Sequence, residues 1–275
     1  FIASRYGKSQ LLAAMVAIFA LIGSVPYIAL QLKAIALGFN VLSSTGDTYQ
    51  EISTAAWNDS AWYITLALAV FTVLFGTRHL ESTEHHRGMI QAVAFESLIK
   101  LIAFVAVGLF VGYGLFNGFG DLFQKAAEAD LIGTLTTDAI EAPAFLTQTL
   151  VAMLAIICLP RQFHVMVVEN TDHRDFEVAR WAMPIYLVIA SAFVIPIAAG
   201  GLLHADMAGS DPDIVILQLP IMAGEQWLAV LAFLGGGSAA AAMVIVCSVA
   251  IATMVSNEII MPGLLRFFRP RMNRR

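Results

Sequence analysis

Six apolar runs limit what this sequence can become more than any other feature. They cover residues 11–36, 61–77, 90–116, 144–160, 182–203 and 227–256. A helix needs about 20 apolar residues to cross the hydrocarbon core of a bilayer, with a lower limit of about 17, and the second run sits near that limit. Lipid supplies no hydrogen-bond partners, so only helices and closed barrels can span it. Ten-residue segments of alternating hydrophobicity, as in a barrel, are absent. The expected class is therefore an all-α membrane protein of about six transmembrane helices. Composition agrees, since 59% of the 275 residues are apolar and 13% charged, against about 25% charged in soluble domains. The mean hydropathy is +0.79.

The connections sort by charge. With alternate loops assigned to opposite sides, Arg5, Lys8, Arg78, Arg87, Arg161, Arg174, Arg180 and the arginines from Arg266 to Arg275 fall on one side, and Lys125 alone on the other. Lys and Arg are retained in the cytoplasm, so the start, the 78–89 and 161–181 loops and the tail are expected there. The chain is thus placed as a multi-pass protein of the plasma membrane. Acidic residues such as Asp47, Asp59, Asp121, Asp138 and Asp211 collect on the outer side. The formal charge of -5 and the lack of a basic recognition element argue against nucleic acid as a partner. Cys158 and Cys247 both lie in apolar runs, which supports neither a disulfide framework nor a cysteine metal cluster. The opening residues, FIASRYGKSQ, carry no signal-peptide pattern. The expectation is an interior piece of a longer chain that continues past Arg275.

Polar groups within the apolar runs are the candidate functional residues, because such groups are expensive in lipid. Pro26 is followed by Tyr27, Gln31 and Lys33, with Tyr27 and Gln31 four residues apart on one helix face. This reads either as a wall of a solute pathway or as a packing kink with Lys33 reaching the interface. Glu96 and Lys100 stand at i and i+4, the spacing of an intramembrane ion pair; Glu96 is either a proton or cation carrier or half of a structural anchor. Leu159-Pro160-Arg161-Gln162-Phe163-His164 fits a helix broken at the membrane edge and resumed beyond it, or an ordinary helix stop. The small-residue run from Gly235 to Ala242 allows another helix backbone to approach closely, and Ser238 and Ser248 are the hydroxyls nearby that could ligate a cation. Five of the six histidines, His79, His85, His86, His164 and His173, lie in inner loops with no zinc spacing; no metal site is expected. Residues 119–131 read as an amphipathic helix on the outer surface. No Walker loop, GxGxxG, GxSxG or HExxH occurs, and no catalytic residues are assigned.

Longer strings carry a resemblance. RYGKSQ leading into VPYIALQLKAIA, FGTRHLESTEHHRGMIQAVAFESLIKLIAFVAVGLF, LPRQFHVMVVEN followed by ARWAMPIYL, and MVIVCSVAIATMVSNEIIMP resemble the sodium/solute-symporter-type membrane domain of CbrA-like bacterial sensor histidine kinases. The resemblance covers essentially the whole chain. It implies a LeuT-type bundle built from inverted repeats, with solute and ion sites between the repeats near the midplane. The six runs would then be core helices three to eight, a partial bundle. In the family the eighth core helix supplies a hydroxyl pair to a sodium site. The corresponding positions here, near Ala241, Ala242 and Met243, have no hydroxyl, and such side chains cannot ligate a hard cation. Coupling to sodium or protons stays open, with sodium disfavoured. Gln162 and His164 match polar positions just inside the break of the sixth core helix.

The resemblance implies a solute-sensing and solute-transporting domain of a two-component kinase in the bacterial inner membrane, for an amino acid such as histidine. Its partners would be the bilayer, the solute, a response regulator reached through the kinase part, and a second copy in a dimer. ATP would serve only the kinase part, outside these residues. A free-standing secondary symporter for a small organic solute and a degenerate membrane anchor are the alternative readings.

Overall fold

The structure is a computed structural model that describes residues 5–43, 60–76, 87–131, 133, 142–163, 166–167, 173–204 and 212–265. All regular structure among them is helical. Helix α1 spans Gln10–Ser43 and runs without a break through Pro26. It is followed by α2 (Ser60–Gly76) and α3 (Arg87–Phe110), which ends in a π turn, Val111–Leu115. Next come α4 (Phe119–Glu128), α5 (Ala142–Cys158), the one-turn α6 (Pro160–Phe163) and α7 (His173–Leu203). A 3₁₀ turn over Pro212–Ile214 leads into α8 (Val215–Met222). Finally α9 (Gln226–Val255) continues through a second π turn, Ser256–Ile260, to Leu265.

Four helices among the described residues are long and apolar enough to cross a membrane: Gln10–Ser43, Ala94–Leu115, Arg174–Leu203 and Gln226–Leu265. The apolar runs at 61–77 and 144–160 form helices of 17 residues each, at the lower limit for a span. Boundaries move most in α7, which begins at His173, nine residues ahead of its apolar run. Its polar opening HRDFEVAR adds two turns that hydropathy alone does not register. These helices make the chain a multi-pass membrane protein whose apolar surface is matched to a lipid bilayer.

Helix α9 is the centre of the bundle, and α1, α2, α3, α6 and α8 all pack on it. It is apolar all round, with buried residues from Leu228 to Ile251 over more than half of its circumference and Trp227, Val230 and Leu234 exposed on the remaining face, the pattern of a membrane helix rather than one facing water. Its small residues make this possible. A Cβ built on Gly235 would lie 2.8 Å from the Ala103 Cβ and 3.3 Å from the Lys100 Cα. Glycine is the residue that lets α3 and α9 approach so closely.

The buried core lies at one end of the bundle, where Val107 and Val111 of α3 and its π turn meet Leu122 of α4, Ile197 and Ala199 of α7, Leu217 and Leu219 of α8, and Leu228 of α9. The chain turns into this core at Gly118, whose φ of 115° lies in the region that other residues rarely adopt. Phe119 then packs edge-on against Tyr113, ring centroids 5.3 Å apart. Residues 119–131 do form an amphipathic helix over Phe119–Glu128, and its apolar side, Leu122 and Ala126, is buried in protein. Helix α8, buried through Leu217–Pro220, has no counterpart in the sequence reading. Its eight residues are too few for a span, and so short an apolar run does not distinguish helix from strand.

Asp121 fastens the turn before α4. Its carboxylate accepts hydrogen bonds from Lys125 Nζ at 2.9 Å and from the Asn117 amide at 3.1 Å. The Lys125 ammonium first, and the Asn117 amide second, hold the Asp121 carboxyl below the usual carboxylate range. A carboxyl made more acidic by folding steadies the fold above its unfolded pKa and loses that contribution as pH falls through its folded value. Protection of the Asn117 amide from hydrogen exchange is therefore expected to fall a few-fold on acidification through that range. In Asp121→Asn the protection should be low and flat with pH; a wild-type profile in that variant would contradict the assignment.

Candidate functional site

The junction of α1 with α9 brings together the residues singled out on those two helices. Tyr27 is half-buried, and its hydroxyl donates to the Met243 sulfur at 2.9 Å across 216 residues of sequence. Gln31, one turn further along α1, is half-buried, while Lys33 is exposed on another face. Met243 and its neighbours Ala241 and Ala242 are all half-buried, and of the three it is Met243 that meets α1 through Tyr27. A thioether is a weak acceptor, which makes the Tyr27 hydroxyl a donor held by a partner that a carboxylate or carbonyl oxygen would outcompete.

Beside this contact, α1, α2 and α9 border an open cavity of about 310 Å³, lined by Ile28 and Leu32 of α1, by α2 between Thr65 and Val73, and by α9 between Val244 and Ala252, with Ala69, Val73 and Ala252 of its wall exposed. Ser248 is part of its wall. Tyr27 and Gln31 stand next to the cavity and are not among its lining residues.

The other candidates go elsewhere. Ser238 donates its hydroxyl back to the Gly235 carbonyl at 3.2 Å. It stands ten residues from Ser248 on α9, about 15 Å along the axis at 1.5 Å per residue, so the two serines do not share a site. Glu96 and Lys100 are half-buried on α3. Glu96 lies near Tyr186 of α7, whose hydroxyl donates to the Ser97 carbonyl at 3.4 Å. Lys100 sets its backbone against Gly235. At 159–160, where the sequence fits a broken helix or an ordinary stop, the single residue Leu159 separates α5 from α6, and i→i−4 bonding continues on both sides of it, from the Leu159 amide to the Ala155 carbonyl and from the Phe163 amide to the Leu159 carbonyl, each at 3.0 Å. Gln162 belongs to α6, and its side chain, like the whole of His164, lies outside the described residues, as do His79, His85 and His86.

Sequence reasoning passed over an aromatic group at the core end. Lys125 Nζ sits 5.1 Å from the centroid of the Phe116 ring, the Phe116 and His204 rings meet edge-on at 6.2 Å, and His204 Nδ1 pairs with the Gly200 carbonyl at 2.8 Å. These residues come from three separate segments, and no spacing rule links them.

The helices and the α1–α9 junction define a helical membrane protein with polar groups held inside it. The chain is similar to the uncharacterized symporter YhjB of Bacillus subtilis (strain 168), with 24% identity over 229 residues, which make up 82% of this chain and 43% of that protein. It thus spans less than half the length of that relative. No family model matches the chain, and no solved structure matches it. The similarity supports a symporter-like membrane protein.

Proposed function

We propose that this chain is the solute-binding part of a membrane transport domain of the sodium/solute-symporter type, carried by a sensor histidine kinase of the bacterial inner membrane. The bundle would be a partial LeuT-type arrangement of core helices three to eight, with the start of α1 and the end of α9 in the cytoplasm. The observation that carries the reading is the Tyr27–Met243 contact. It joins two long helices through a bond weak enough for a solute oxygen to replace, and Gln31 supplies a second polar group one turn away. The solute is a small amino acid such as histidine. It acts by binding one arrangement of α1 against α9 more tightly than another, since only differential affinity shifts such an equilibrium. No hydroxyl stands at Ala241, Ala242 or Met243, so coupling to protons is favoured over sodium. The signal would pass through a dimeric kinase part, where ATP is used, to a response regulator.

Binding of radiolabelled histidine to the full-length protein in membranes tests this. Tyr27→Phe removes one hydrogen bond and is expected to weaken binding about fivefold, and Tyr27→Ala or Gln31→Ala about tenfold or more. Unchanged binding in all three variants would overturn the assignment.

The similarity to a symporter favours a second reading, a free-standing secondary symporter. Vesicle uptake together with solute-dependent autophosphorylation separates the two: accumulation without any phosphorylation response selects the symporter. Solute binding with neither response would leave a sensing role without transport or kinase, and no binding at all an anchor.

A further inference from the structure

We infer that the cavity between α1, α2 and α9 is a binding site for an alkyl chain of a bilayer lipid. It holds about 310 Å³, within the range of sites for small ligands. Its place is midway along the helices: Ile28 and Leu32 are central in Gln10–Ser43, and Leu68 and Ala69 central in Ser60–Gly76. Whatever fills it therefore sits deep in the hydrocarbon layer.

The chemistry of the wall selects among occupants. No lining residue is charged, and the polar ones are three hydroxyls, Thr65, Thr72 and Ser248. Thr72 already donates to the Leu68 carbonyl at 2.7 Å. Water would fill the space with roughly ten molecules, each needing two to four polar partners, far more than these hydroxyls provide. A zwitterionic solute would bury two charges against a wall with no counter-charge. An alkyl chain demands nothing the wall lacks. The source is adjacent, because Val73 both lines the cavity and is exposed, and Leu66 and Val70 of α2 and Leu30 of α1 beside it are exposed apolar residues as well.

The test uses the full-length protein in vesicles of phosphatidylethanolamine and phosphatidylglycerol containing a phosphatidylethanolamine with a diazirine midway along one acyl chain. After irradiation, adducts are mapped by mass spectrometry. They should concentrate on Thr65–Val73 and Val244–Ala252, about fivefold or more above those on α5, whose Leu150 and Leu154 are equally apolar and exposed; such a factor corresponds to the burial of one or two methylenes. Filling the space with Ala69→Phe or Ala252→Phe should remove this excess and leave adducts on α5 unchanged. An even spread over α2 and α5 in the unsubstituted protein overturns the proposal. So does an excess that survives both substitutions in folded protein. A separate readout does not depend on those variants: Ser248→Cys, with Cys158→Ser, should resist a charged thiol reagent, and rapid labelling would mean a water-filled cavity and overturn it as well. Histidine binding enters neither readout, so this proposal and the assignment of Tyr27 fail independently.

Discussion

Gly235→Leu is expected to abolish the folded bundle, and Gly236→Leu, one residue away, to be tolerated. A side chain at Gly235 begins with a Cβ 2.8 Å from the Ala103 Cβ and 3.3 Å from the Lys100 Cα. Neither neighbour can rotate away: one is fixed to its backbone and the other is backbone. Helices α3 and α9 would have to separate, and α9 is the element on which most of the bundle packs. Overpacking of a tight interior costs about 1–3 kcal/mol and sometimes more, which is the range expected for Gly235→Ala; leucine adds three further carbons with nowhere to go. Stabilities of about 5–15 kcal/mol leave little margin for that. At Gly236 a Cβ meets nothing within 4 Å. The comparison is made on detergent-extracted protein by monodisperse yield and thermal unfolding. Equal behaviour of the two leucine variants would show that the close approach of α3 to α9 is not what requires glycine.

The second large effect is expected at Leu122, which is fully buried on the ten-residue α4. This helix is too short to be stable alone, so its place depends on what it buries. Leu122→Ala leaves a cavity in the core cluster, where α4 packs on α7 and on the π turn, and such changes cost about 2–5 kcal/mol. The neighbouring Gln124→Ala removes a side-chain hydrogen bond to Glu128 of 3.1 Å on the exposed side, worth about 0.5 kcal/mol at most. Hydrogen exchange across Phe119–Glu128 and thermal unfolding read both changes. Comparable losses in the two variants would mean that α4 is held by its polar face instead.

The apolar runs were legible because a membrane helix declares itself by length and composition: four of the six fall in helices long and apolar enough to span, and those at 61–77 and 144–160 in helices of 17 residues. What hydropathy missed follows from how it works. It does not see the polar first turns of α7, because HRDFEVAR is helical without being apolar. It also overlooks α8, because VILQLPIM is apolar without being long. The amphipathic pattern of α4 was readable, but its docking was not, since the same pattern suits a lipid surface and a protein surface. At the candidate site, the i, i+4 spacing gave Tyr27 and Gln31 a common face. That Tyr27 would reach Met243 is a contact across 216 residues, which no local pattern encodes. The spacing of Glu96 and Lys100 shows that the two share a helix face, but not that the Lys100 backbone lies where α9 passes closely at Gly235.

The core cluster joins α3, α4, α7, α8 and α9 at one end only. At the other end, the first half of α7 leaves Phe176, Val178, Trp181 and Val188 exposed, and α5 is exposed along most of its length. Helix α7 is therefore packed at its end and exposed over its first half, while α1 and α9 stay packed towards the other end, where Ala13, Ala17 and Val249–Ile251 are buried. A tilt of α7 about the packed Ile197–Gly200 segment would turn a small rotation into a displacement of ångströms at His173, more than 20 residues and about 36 Å away along the helix, and would have to break the Tyr186 contact to the Ser97 carbonyl. The packing that holds α7 in the core thereby also places its pivot.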